Sequence, residues 1–397
     1  ICFIFFITPV VIVISSLFGD YSDNWSHLYN YVLGSYIKNS IYLVAGVLIL
    51  VSIIGVSTAW LVTNYDFFCK NILEWALILP LAVPPYILAY TFTGLFDTYG
   101  TANNLVRDIF NLSNEFTLFP KVRNVPGAII VFSFTLYPYV YLVSRMAFIN
   151  QSRSILESGR TLGLNRLEVF YRLAVPMIRP AIIAGLMLVA METLSDFGAV
   201  DHFAISTFTT GIFRTWYGMY DIHTAKQLAS LLLIIAIMFI IAEKYSRKNA
   251  DYSFAGSVFR QFNPLKLSGF KNFLAFLFCF IPIFIGFILP ILELSYWAFN
   301  YKLDFFNERF ITTAWNSFYL AIISAFLCTC LAIIINFSVR YKSNEVLKFL
   351  SSFLTVGYAV PGIILAIGVM QLLTFIDASF VGKYFNFLLT GSLIGLI

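Results

Sequence analysis

The sequence is divided into apolar runs of bilayer length, and this limits its fold more than any other feature. They cover residues 1–18, 37–62, 73–96, 126–149, 176–200, 227–242, 272–298, 313–339 and 348–376, and a tenth begins near Tyr384. A helix rises 1.5 Å per residue, so about 20 residues cross a hydrocarbon layer of about 30 Å. Inside that layer every backbone N–H and C=O must be paired within the protein, which leaves helices and closed barrels. Barrel strands would be shorter and would alternate in polarity. The expected fold class is therefore an all-α polytopic membrane protein. Composition agrees: 60% of residues are hydrophobic and 11% charged, against about 25% charged in soluble domains. The net charge of +5 is small and dispersed, so the expected surroundings are a lipid bilayer, with no nucleic acid.

An internal repeat organises the runs. Asn39-Ser40 precedes Pro84 by the same distance as Asn316-Ser317 precedes Pro361, and the contexts match: KNSIYLVAGVLIL with WNSFYLAIISAFL, and LPLAVPPYILA with VGYAVPGIILA. An even number of runs separates equivalent points, so the two halves are expected to be parallel in the membrane, not inverted. The division that follows is a first half at 1–242, a linker at 243–271 and an incomplete second half at 272–397. Both ends of the sequence fall inside apolar runs, which reads as a fragment whose second half is truncated. Basic residues set the orientation. Sixteen of the 25 Lys and Arg fall on one set of loops, chiefly Arg145–Arg179 and Lys244–Lys271, and that side is expected to be cytoplasmic. The five cysteines are expected to be packing residues; Cys328 and Cys330, two apart on a helix, point to nearly opposite sides.

One stretch does not belong in hydrocarbon. Residues 154–176 read SILESGRTLGLNRLEVFYRLAVP, and charges at that density cost several kcal/mol each in a bilayer. Two short helices with a glycine break are expected. Ser154 with Glu157 has the spacing of a capping box, and Asn165 with Glu168 repeats it. Gly159 and Gly163 weaken and end the first helix, since glycine takes the left-handed conformation after a helix terminus. Pro176 suits the first turn of the next helix. Apolar Ile155, Leu156, Leu162 and Leu164 provide a surface on which another protein could dock.

This stretch resembles the EAA loop of ABC importer permeases. The family pattern is EAA, three residues, G, nine residues, I-x-L-P. Here Glu157-Ser158-Gly159, Gly163 and Leu173-Ala174-Val175-Pro176 keep the spacing, with small residues replacing the two alanines and conservative changes at Leu173 and Val175. Residues 191–219, METLSDFGAVDHFAISTFTTGIFRTWYGM, together with PLAVPPYILAY, are similar to the ferric-iron permeases of that class, in which two halves are joined in one chain. The resemblance implies a two-half type I importer fold in a bacterial inner membrane. It further implies that the loop docks on a separate ATP-binding subunit, as a homodimer carrying ATP and Mg, and that a periplasmic binding protein delivers substrate. The chain itself is expected to be no enzyme and to bind no cofactor: no G-x-x-x-x-G-K-[S/T] loop is present, since Gly382-Lys383 lacks the upstream glycine and the following hydroxyl. The equivalent of Glu157 in the second half would fall near position 434.

Candidate pathway residues are few. Glu192 and Asp196 are spaced to share a helix face and either line a cation path or pair inside the bundle. Pro84 and Pro361 are matched prolines that either bend pathway helices or serve packing alone. No metal ligand set is evident. Alternatives to ferric iron are thiamine, a phosphonate or another small solute. A gradient-driven secondary transporter is the competing class; it would lack a coupling loop.

Overall fold

The computed structural model describes residues 2–113, 116–151, 153–247, 264–300, 307–341 and 360–378, with the single residues 344, 345, 347 and 390. Apart from residue 390, the tenth apolar run lies outside them. The other runs are mostly helical where described. They form α1 (Cys2–Ser15), α2 (Asn24–Asn64), α3 (Lys70–Ala82), α4 (Pro85–Phe96), α5 (Thr101–Phe110), α6 (Val125–Ile149), α7 (Arg153–Thr161), α8 (Arg166–Met177), α9 (Arg179–Ser195), α10 (Gly198–His202), α11 (Phe208–Phe213), α12 (Ile222–Arg247), α13 (Phe270–Asn300), α14 (Glu308–Tyr341) and α15 (Gly362–Ala378). Among the described residues five helices are long and apolar enough to cross a membrane, and up to seven if each bent pair counts as one span. The chain is an all-α polytopic membrane protein.

Several elements differ from the expectation. The segment before the second run is not a loop, because α2 already begins at Asn24 and runs for 41 residues. Residues 97–125, between the third and fourth runs, contain α5, a helix with one apolar side. The third run is not a single rod, since α3 and the helices after it meet at a bend of 90°. Consecutive Pro84 and Pro85 offer no N–H, so the hydrogen-bond ladder cannot continue through them. Among the described residues one two-residue parallel bridge is present, between β1 (Tyr65–Asp66) and β2 (Leu265–Lys266).

The helices group into two compact units that cut across the division drawn from the repeat. One comprises residues 27–211 and 235–296, the other 1–26, 212–234 and 297–397. In the first unit α2 packs along α6, and α9 lies against both. Close approach depends on missing side chains. A Cβ on Gly55 of α2 would sit 3.0 Å from the Val140 Cβ of α6, and one on Gly185 of α9 would sit 3.0 Å from the Val140 Cα. Small residues at such crossings let helices gain dispersion contacts in a solvent that gives no hydrophobic drive. In the second unit α1 packs against α15, where a Cβ on Gly368 would come 2.4 Å from the Pro9 carbonyl oxygen. There Asp221, just before α12, accepts hydrogen bonds from Ser22 Oγ (2.7 Å), Asn24 Nδ2 (2.9 Å) and Thr224 N (3.0 Å).

Candidate coupling site and substrate pathway

The polar stretch folds as two helices folded back on each other. α7 ends in a Schellman arrangement: Gly163 N–H donates to the Arg160 carbonyl and Leu164 N–H to the Gly159 carbonyl, both at 3.1 Å. Gly163 holds φ at +90°, which an L side chain rarely adopts. Asn165 then starts α8 with a complete capping box. Its side chain accepts from Glu168 N–H and the Glu168 carboxylate accepts from Asn165 N–H, each at 2.9 Å. The other expected box is not at the helix start. α7 begins at Arg153, so Ser154 lies inside its first turn; the Ser154 side chain is outside the described residues.

The motif spacing has a packing reason. Gly159 is buried, and a Cβ there would lie 2.3 Å from Leu173 Cδ1, 3.5 Å from Leu164 Cδ1 and 3.7 Å from Val169 Cγ2. The positions that the family pattern sets apart therefore meet across the hairpin. Leu164 is drawn into this contact and is not on the outer face, as expected of it. Glu157 and Ser158 are exposed, as is Pro176. The expected role of Pro176 at the start of a span belongs instead to Pro180. α8 runs through Pro176 by way of a wide turn at Phe170–Ala174, in which Val175 N–H reaches back five residues to the Phe170 carbonyl. Chain direction changes only at Ile178, where α8 and α9 bend by 71°.

Exposed apolar side chains give this hairpin an outer face: Leu162 (84% exposed), Leu167 (70%) and Tyr171 (67%). The sequence reading named only Leu162. Ile155 and Leu156 have side chains outside the described residues. Inward, Val169, Phe170 and Ala174 are buried.

At the far end of α9 the expected acidic pair is separated. Glu192 is half-buried in the last turn, but the helix stops at Ser195 and Asp196 is extended. Its carboxylate accepts from Ala199 N–H at 2.8 Å and from Val200 N–H at 3.4 Å, capping α10, and its carbonyl accepts from Thr209 Oγ1 at 2.7 Å. A carboxylate at a helix N-terminus complements unpaired donors and the helix dipole. Nearby, Asn39 Nδ2 donates to the Ser206 carbonyl at 3.0 Å and Phe208 N–H to Ser40 Oγ at 3.3 Å. A cavity of about 10 Å³ lies here, lined in part by Ser40, Thr193, Thr207 and Thr209; this is about the room one water needs. Asn39 and Ser40 marked the repeat in the sequence, but their bonds to residues 206–208 follow only from the fold.

α10 ends at His202, whose Nε2 lies 2.8 Å from Thr93 Oγ1 and whose ring meets those of Tyr86 and Tyr90 at centroid distances of 5.9 and 5.7 Å. Burial, and next the Arg123 guanidinium, push its imidazole below the usual range against Asp201 and Asp97. Among the described residues no three His, Cys, Asp or Glu side chains converge to hold a metal ion.

Pro84 lies at the 90° break between α3 and α4, and Pro361 precedes α15; each carbonyl serves the helix start that follows it in the same way. Ile87 and Leu88 N–H donate to the Pro84 carbonyl at 2.9 and 3.2 Å, and Ile364 and Leu365 N–H to the Pro361 carbonyl at 2.9 and 3.4 Å. The two matched prolines thus share local backbone geometry. Residues 351–359, before Pro361, are outside the described residues.

Residues 51–242 match the family model of binding-protein-dependent transport system inner membrane components. The matched segment contains the hairpin, the bend at Pro84 and the cluster around Asp196. The chain is 28% identical over 342 residues to a Fe(3+)-transport system permease protein of Haemophilus influenzae, covering 84% of this chain and 62% of the relative. It is 25% identical to a molybdenum transport system permease protein of the same organism, over 47% of this chain and 79% of that one. Among solved structures it is similar to a bacterial alginate ABC transporter in complex with a periplasmic protein, with 15% identity, a TM-score of 0.48, and coverage of 64% of this chain and 92% of that one. The chain thus spans about three-fifths of the length of its ferric-iron relative. The matched family is one of inner membrane transport components.

Proposed function

We propose that the chain is the membrane-spanning part of an ABC importer for ferric iron. The hairpin at 153–177 carries this reading. It is polar between apolar runs, closed by a Schellman turn and a capping box, and keeps the EAA spacing inside the matched segment. Glu157, Ser158, Gly159, Gly163, Leu173 and Pro176 form the coupling loop. Gly159, Gly163 and Leu173 shape it, and Leu162, Leu167 and Tyr171 offer the apolar face that enters a groove on a separate ATP-binding subunit. That subunit, as a homodimer, carries ATP and Mg; this chain contributes no cofactor. A periplasmic binding protein docks on the opposite side, over loops 97–125 and 199–225. The basic loops face the cytoplasm. Residues 1–242 and 272–397 are the two repeat halves and 243–271 the linker. Glu192, Asp196, Pro84 and Pro361 belong to the substrate pathway: each proline starts a helix that borders it, Glu192 is its anionic group, and Asp196 acts through the helix it caps.

Likeness to the Fe(3+) permease over most of the chain favours ferric iron; the molybdenum relative covers less than half and favours an oxyanion as the second reading. Cells carrying the permease with its ATPase and binding protein should take up labelled ferric iron, with no competition from molybdate. Competition by molybdate would move the assignment to oxyanions. Uptake that persists when the ATPase carries an inactive phosphate-binding loop would refute the ABC reading and favour a gradient-driven carrier.

A further inference from the structure

We infer that Phe170 is the positioning residue through which the hairpin moves the membrane helices; the inference rests on the coupling function proposed above. Phe170 is only 9% exposed and sits where the wide turn of α8 begins. Its ring centroid lies 5.2 Å from that of Trp60 near the end of α2, and Trp60 lies 5.1 Å from Phe148 at the end of α6. The next residue, Tyr171, is exposed on the docking face with its ring 4.8 Å from Phe170. One pair of adjacent rings therefore links the outer face of the hairpin to the ends of two long spans. A second tie runs alongside, from Gln151 Nε2 to the Ala174 carbonyl at 3.4 Å and to Met177 Sδ at 3.3 Å.

The backbone route is a poor lever by comparison. α8 joins α9 through the 71° bend at Ile178, followed two residues on by Pro180, which has no N–H to donate across the joint. Such a joint absorbs rotation. Three rings in contact cannot absorb it, because separating them opens a void whose lining loses its dispersion partners, and packed cores shift between discrete arrangements instead of deforming smoothly. Displacement of the hairpin reaches α2 and α6 through Phe170, Trp60 and Phe148.

The test uses the permease assembled with its ATPase and binding protein. Phe170→Ala should leave ATPase co-purification unchanged and lower substrate taken up per ATP hydrolysed by about 2- to 30-fold, the span of effects at positions along a coupled network. Phe170→Leu, which refills much of the volume, should recover most of the loss. In the chain alone, Phe170→Ala should speed hydrogen exchange in residues 166–177 and shift Trp60 fluorescence. Unchanged uptake per ATP overturns the inference and leaves the coupling loop standing. Lost co-purification also overturns it, because Phe170 would then be part of the dock. Should the unaltered permease fail to bind any ATPase, the coupling function itself fails. Unchanged exchange in 166–177 then removes the ring contact as well.

Discussion

Gly163 gives a test in which one cause can be isolated. Its φ of +90° lies in the left-handed region, and nothing stands within 4 Å of where a Cβ would be. Gly163→Ala therefore meets no steric obstacle, and its cost is confined to the backbone. An L residue held in the left-handed region costs about 1–2 kcal/mol. Loss of glycine's freedom in the unfolded chain returns about 0.4–1 kcal/mol. The net, about 1 kcal/mol, raises local opening of the hairpin about fivefold. Gly163→Asn should cost less, since asparagine tolerates this region. Gly163→Pro should cost more than either, because it forbids a positive φ and removes the N–H that donates to Arg160. Hydrogen exchange of residues 157–164, with ATPase co-purification in parallel, should rank the variants Gly, Asn, Ala, Pro from most to least protected. Ala exchanging like the unaltered protein, or Asn faring worse than Ala, would refute the backbone argument.

Asn165→Ala removes the cap of α8 and should destabilise it by about 0.5–2 kcal/mol, seen as faster exchange at residues 166–169 with the spans unaffected. Glu293 is 5% exposed and accepts from Thr101 Oγ1 at 2.5 Å; Thr101→Val leaves that buried acceptor short of a donor and should cost about 1–3 kcal/mol in detergent unfolding, whereas Thr101→Ser should not. Burial alone would raise the Asp221 carboxyl, but hydrogen bonds from Thr224, Asn24 and Ser22 hold it well below the usual range. A depressed folded pKa gives stability that is full above the unfolded value of about 3.9 and fades as pH falls through the folded one. Thermal midpoints of Asp221→Asn should therefore lose less between neutral and strongly acid pH than those of the unaltered chain, with parallel curves above about pH 5.

The apolar runs determined the class of this protein by themselves, because backbone groups in hydrocarbon allow few structures and helix length follows from bilayer thickness. The hairpin was equally legible. Asn165 with Glu168, and Gly163 after a polar helix, are local devices whose partners lie within a few residues, and they formed as the spacing implied. At the matched prolines Pro84 and Pro361 the fold adds a shared helix start. Ser154 and Pro176 mark the limit of such reading, since where a helix starts depends on what its turns pack against. The contacts that give those elements their use join residues far apart in the chain. The sequence placed Glu192 and Asp196 on one face, but Asp196 turned to cap α10. It gave Phe170 no special standing, yet the fold set that ring against Trp60, far upstream, with Phe148 on the other side of Trp60. Hydrophobic patterning says that a residue is buried; only packing in three dimensions decides which partner it is buried against.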